Sequence, residues 1–186
     1  MTELLSRLAT WKLIIPFLII FAAMSFYIFP RYQSQMSAAA GAYVTPLDVR
    51  VSYSAADVNA LFQKLGTDGR AIYRTVVGKV DMLYPVVYGV LFMALLAYLL
   101  TRVSGARKKL ILLALLPLGG VLFDYLENFR ILAFLSQYPD IDEPQVVLAQ
   151  QFTRLKHIML YLSLALVSLL VVVLIFKKML STRTKT

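Results

Sequence analysis

The stretch LILLALLPLGGVLFDYLENFR, residues 110–130, decides the fold. From Leu110 to Phe123 it carries no charge, and then two carboxylates and an amide, Asp124, Glu127 and Asn128, arrive together. Read as a helix rising about 1.5 Å per residue, the apolar part climbs about 21 Å before it meets Asp124. Acids at that height raise two questions: what medium surrounds the helix, and what faces its carboxylates.

Composition answers the first. Sixty per cent of the 186 residues are hydrophobic, against roughly 45–50 per cent in soluble domains, which is more apolar surface than one soluble core can hide. The apolar residues gather in four runs, Leu13 to Phe29, Val80 to Leu100, Leu110 to Phe129 and Ile158 to Phe176. Each approaches the roughly 20 residues a helix needs to cross a hydrocarbon layer about 30 Å thick. The expected fold is all-α: a single integral membrane domain over 1–186, a four-helix bundle with membrane helices at about 13–30, 79–101, 109–130 and 154–176. Cysteine is absent, which excludes disulfides, a thiolate nucleophile and thiol redox chemistry, and a single histidine excludes a haem held by two histidines. Nothing in the motifs implies a cofactor.

Lysine and arginine set the expected orientation. Arg7 and Lys12 precede the first run, Arg102, Arg107, Lys108 and Lys109 join the second to the third, and Lys177, Lys178, Arg183 and Lys185 come after the fourth. Three short basic segments on one side make that side cytoplasmic by the positive-inside rule, with both termini there, in a bacterial inner or a plasma membrane. The net charge of +9 is mostly this signal, helped by attraction to anionic lipid. Nucleic acid is not an expected partner; the bilayer, a lipid or small-molecule ligand, and another membrane protein are. The first run could be read as a secretory signal peptide, but it exceeds the 7 to 15 apolar residues of such a segment, so a retained helix is expected.

The segment 31–78 is expected to be a long extracytoplasmic loop. Within it SAADVNALFQKLG sets Ser54 and Asp57 at capping-box spacing, places Val58, Leu61, Phe62 and Leu65 on one face, and ends on Gly66. This is a short amphipathic helix over about 55–65, lying on the membrane or covering the mouth of the bundle. Pro85 predicts a kink in the second membrane helix.

Polar stripes then answer the second question. Asp124, Glu127 and Asn128 stand at i, i+3 and i+4 and share a face. On the second helix Arg70, Arg74, Asp81, Tyr84 and Tyr88 form a stripe, and on the fourth Gln150, Arg154, His157, Tyr161 and Ser168 form another. All three fade toward the cytoplasm. Charges within a bilayer turn toward partners or water, so helices two, three and four are expected to wall a polar cavity open to the outside, with Arg154 or His157 as the cation facing Asp124. Candidate ligand-binding residues are Asp81, Tyr84, Tyr88, Asp124, Glu127, Asn128, Arg154, His157 and Tyr161.

Several functions fit such a constellation. One is a cavity that binds or moves a small polar or amphiphilic, lipid-like ligand. Another is a membrane enzyme acting on a lipid or sterol-like substrate through carboxylate acid–base chemistry. The blandest is a structural salt-bridge network in a subunit or assembly factor of a membrane complex. Asp81, Asp124, Glu127 and His157 would also offer three carboxylates and an imidazole to a metal, but their only close spacing, D-x-x-E, recurs in helices by chance. Gly119 and Gly120 are small residues suited to close helix approach.

The charge asymmetry yields a direct test of topology. With cysteines introduced singly, an impermeant reagent applied to intact cells should label Asp140→Cys and spare Ala106→Cys. The reverse pattern would overturn the orientation.

Overall fold

A computed structural model of the chain describes residues 2–50, 52–104 and 108–183, and every regular element among them is helical. Arg107 and Lys185, two of the bases used above for orientation, lie outside the described residues. Four helical stretches are long and apolar enough to cross a membrane: Trp11–Ala39, Ala55–Val103, Lys109–Gln137 and Glu143–Leu180. The first and last leave most of their apolar surface outside the protein. Ile19, Phe26, Leu169 and Phe176 are each more than half exposed, a continuous apolar exterior that suits lipid and not water. The chain is an all-α bundle of the membrane type.

The helices run longer than the apolar stretches. After a short α1 (Thr2–Leu8), the first rod joins α2 (Trp11–Ala23) through a π turn at Met24–Ile28 to α3 (Phe29–Ala39). The second rod joins α4 (Ala55–Thr75) through a π turn at Val76–Val80 to α5 (Asp81–Ser104). A 3₁₀ segment, Lys108–Leu115, leads into α6 (Leu116–Gln137), with Pro117 in the first turn, where its missing N–H leaves no bond unmade. The last helix, α7 (Glu143–Arg183), has 41 residues and is about 60 Å long at about 1.5 Å per residue, twice a bilayer core. Expected boundaries at 30, 79, 130 and 154 therefore mark where the apolar runs stop, not where the helices do. Most of the expected loop 31–78 is helical, and the true connection between the first two rods is residues 40–54.

The capping box at the start of α4 is formed: Ser54 N–H donates to Asp57 Oδ2 at 2.8 Å, and Asp57 N–H donates to Ser54 Oγ at 3.2 Å. Val58, Leu61, Phe62 and Leu65 are buried, in one apolar cluster with Tyr73, Ile131, Phe134, Val146 and Ala149. The face expected to meet membrane or bundle meets the bundle. Ala55 N–H donates to Glu143 Oε2 at 2.7 Å, and Gln150 Nε2 donates to the Tyr53 carbonyl at 2.6 Å, so α7 holds this end of the connection in place.

Two further apolar clusters fill the opposite half, one around Leu96, Leu100, Ile111, Ala114 and Leu170 with Leu5 of α1, the other around Ile14, Leu91 and Ala94. Between the halves lie Asp81, Tyr88, Asp124, Glu127, Thr153 and Lys156, a buried polar layer with apolar packing on both sides. Helices approach closely around it. A Cβ on Gly89 would stand 2.6 Å from Val121 of α6, and one on Gly119 would meet Met159 of α7 at 3.1 Å.

Gly66 breaks α4 into two parts. Its φ of 62° and ψ of −170° fall in a region that is almost exclusive to glycine. Arg70 then reaches back, donating from Nη1 to the Phe62 carbonyl at 2.8 Å while its guanidinium lies 4.7 Å from the Tyr138 ring centre, closing the broken end. No atom stands within 4 Å of a Cβ built on Gly66, so replacement strains the backbone without a clash. Gly66→Ala should lower stability by about 1–3 kcal/mol in thermal unfolding in detergent. An unchanged transition would mean that the bend is not held in this conformation.

Candidate functional site

Pro85 starts the site. It has no N–H, so within α5 it leaves the Asp81 carbonyl without its usual helical donor and loosens the turn around it. The polar face of α6 repairs this turn. Asn128 Nδ2 donates to the Asp81 carbonyl at 3.0 Å, and Tyr125 OH donates to the Met82 carbonyl at 2.9 Å. Asn128, expected among ligand-binding residues, is fully buried and spends this bond on the helix. The kink expected at Pro85 thus becomes a seam between α5 and α6.

The π turn before Asp81 does the rest. It adds about one residue to a turn, so α5 is rotated by roughly 100° relative to α4. Arg70 and Arg74, expected in line with Asp81, are turned elsewhere: Arg70 to Phe62 and Tyr138, Arg74 to Ser136 Oγ at 3.1 Å. Asp81, Tyr84 and Tyr88 keep one face. Tyr88 OH donates to Asp124 Oδ2 at 3.0 Å. The Tyr84 hydroxyl lies 3.0 Å from Ser25 Oγ of the first rod, and its ring meets Phe29 edge-on at 4.9 Å.

The cation in this layer is Lys156. Its ammonium pairs with Glu127, lies 3.5 Å from Asp124 Oδ1, and is 3.4 Å from the Asp48 carbonyl. Thr153 donates to Glu127 from the other side. The expectation of Arg154 or His157 is corrected here. Arg154 is exposed and joins no ion pair among the described residues, and Tyr161, two turns further along α7, is 64% exposed. His157 is half-buried, with Nδ1 2.8 Å from the Thr153 carbonyl. Because a carbonyl can only accept, that nitrogen carries a hydrogen.

The error has a definite cause. Gln150 begins two stripes on α7, one through Arg154, His157 and Tyr161, the other through Thr153, Lys156, Leu160 and Ser163. The first stripe carries more bulk and more polar reach, yet small residues mark packed faces, and Ala149, Thr153 and Ser163 all lie on the buried side. That signal was readable. Asp48 and Ser25 gave none, because their approach to the layer depends on the fold of a connection and on the course of the first rod.

Next to this layer lies a cavity of about 520 Å³, within the range of small-molecule sites. Asp48, Asp81, Asp124, Lys156 and His157 line it beside Tyr84 and Tyr88. Ser25 and Phe29 of the first rod and Tyr43 and Pro46 of the connection close it, so its walls are not those of helices two, three and four alone. Glu127 and Asn128 are fully buried and do not line it. Asp81 is 7% exposed, and no hydrogen bond or ion pair holds its carboxylate among the described residues. Tyr73 OH, which accepts from Leu47 N–H at 2.9 Å, lies 3.3 Å from Asp48 Oδ1 and fixes that acid at the wall. Close by, burial and the nearby Glu127 carboxylate push the Tyr53 hydroxyl up to about 12, so it stays neutral. Among the described residues no three His, Asp or Glu side chains are grouped to hold a metal ion.

No protein-family model matches this chain, and no curated protein or solved structure does so either.

The repair at Pro85 can be isolated by a double-mutant cycle. Asn128→Leu should cost about 1–3 kcal/mol by leaving the buried Asp81 carbonyl unpaired. In a Pro85→Ala background, where the backbone N–H returns, the same change should cost distinctly less. Equal costs in both backgrounds would show that Asn128 stabilises by another route.

Proposed function

We propose that this protein binds, and in doing so holds or moves, a small polar or amphiphilic, lipid-like ligand in the cavity beside Asp81. The observation that carries the reading is the division of labour among the acids. Glu127 and Asp124 are occupied by Lys156, Thr153 and Tyr88, as a scaffold requires. Asp81 is buried at the cavity wall, and among the described residues no protein group holds its carboxylate. A network serving only to fix helix register has no use for a buried acid left over, because an unpaired one is costly. A ligand site does. The reading places that ligand among tyrosine rings on apolar walls, the usual setting for a molecule with one polar end.

Scaffold and site can be separated by substitution. Lys156→Met strands the buried Glu127 and should lower stability by about 3–5 kcal/mol, and Glu127→Met in the same chain should recover most of it, as apolar replacement of a buried pair commonly does. Asp81→Asn should leave the unfolding transition nearly unchanged. Native mass spectrometry of protein extracted in mild detergent should find a non-covalent, lipid-sized adduct on the wild type. The adduct should be lost from Asp81→Asn and kept by the Glu127→Met/Lys156→Met protein. Full adduct retention in Asp81→Asn would leave only the structural network.

A further inference from the structure

We infer that the ligand this cavity selects carries an organic ammonium group, which docks against Asp81 beside Tyr84 and Tyr88. The inference rests on the cavity being a ligand site and names the chemistry of its occupant.

Charge comes first. Three carboxylates, Asp48, Asp81 and Asp124, line the cavity, and among the described residues Lys156 is the one ammonium that does. That ammonium is already spent on Glu127, Asp124 and the Asp48 carbonyl. His157 has one ring nitrogen, Nδ1, already committed to the Thr153 carbonyl at 2.8 Å. An anionic headgroup would therefore enter a space rimmed by acids whose one lining ammonium is already paired, whereas a cation would complete the Asp81 carboxylate. In a medium of low polarity the difference between those two outcomes is large.

The aromatic side chains point the same way. Tyr84 and Tyr88 come after Asp81 on the same face of α5, with ring centres 5.5 Å apart at a steep interplanar angle, and Phe29 meets Tyr84 edge-on at 4.9 Å. Tyrosine rings lining the same cavity as a carboxylate supplement its charge toward an alkylated ammonium group through their negative faces, although Phe21 stacks on Tyr84 at 5.6 Å and takes up one of those faces. A neutral hydroxyl would gain little from either. The apolar walls beyond, from Val76, Val77 and Leu160, fit an alkyl portion.

Three probes of equal chain length decide it: hexyltrimethylammonium, hexanoate and hexanol, each titrated into the purified full-length protein while thermal unfolding is monitored. The ammonium should raise Tm in a saturable way, and hexanoate and hexanol should not. Asp81→Asn should weaken the apparent affinity for the ammonium roughly tenfold or more, in line with the loss of one buried charge partner. As a second readout that does not depend on that variant folding, a hydrophobic carbodiimide should modify Asp81 in the wild type, with the site located by peptide mass spectrometry. Hexyltrimethylammonium should protect it. Saturable stabilisation by hexanoate or hexanol equal to that by the ammonium would leave a ligand cavity but overturn its cation selectivity. An unchanged ammonium response in Asp81→Asn, or unprotected labelling, would do the same. Failure of all three probes to shift Tm or to protect Asp81 would overturn the ligand site itself.

Discussion

One ammonium among four carboxylates is the constraint around which this bundle closes. Lys156 stands in a layer where water is scarce, and a charge there is tolerable only beside its counter-charges. Its position on α7 obliges α6 to present Asp124 and Glu127 at matching height. Tyr88 must then reach Asp124 from α5, and Thr153 must reach Glu127 from α7 itself. Apolar packing on either side is permissive by comparison, since Leu96 or Phe134 would accept many neighbours, whereas Lys156 accepts few. Buried polar groups of this kind restrict the ways helices can be paired even where they add little net stability.

The helices themselves were legible, and for a physical reason: hydropathy and helical period are local properties, and each of the four apolar runs states them without reference to the others. Their ends were less so. Apolarity records how deep the lipid is, while a helix continues as long as its backbone bonds are satisfied, and so α7 persists from Glu143 to Arg183. The capping box at Ser54 and the break at Gly66 were readable because each depends on a few adjacent residues.

For the site, the sequence pattern brings the right segments together and points to one wrong face. Asp81, Tyr88, Asp124 and Glu127 converge because three-and-four spacing fixes what a helix presents. Arg154 loses to Lys156 because both begin from Gln150, and a full charge with the longer reach looks like the better partner; the smallness of Ala149, Thr153 and Ser163 is the stronger signal. The π turn at Val76–Val80 is invisible in sequence, since nothing in VVGKV distinguishes it from an ordinary turn, yet it decides that Arg74 and Asp81 look in different directions. Contributions from Asp48 and Ser25 arise from contacts far apart in the chain, which no local pattern encodes.

The pairing of α6 with α7 also bears on how the chain can enter a membrane at all. Presented alone to the insertion machinery, α6 carries two acids with no cation of its own between Leu116 and Phe129, and α7 carries Lys156 with no acid near it in sequence. Each segment would be penalised by a few kcal/mol per charge on insertion scales. Only a short turn, residues 138–142, separates them. Held together as a hairpin they would neutralise one another, so inserting the pair costs less than inserting the two helices separately.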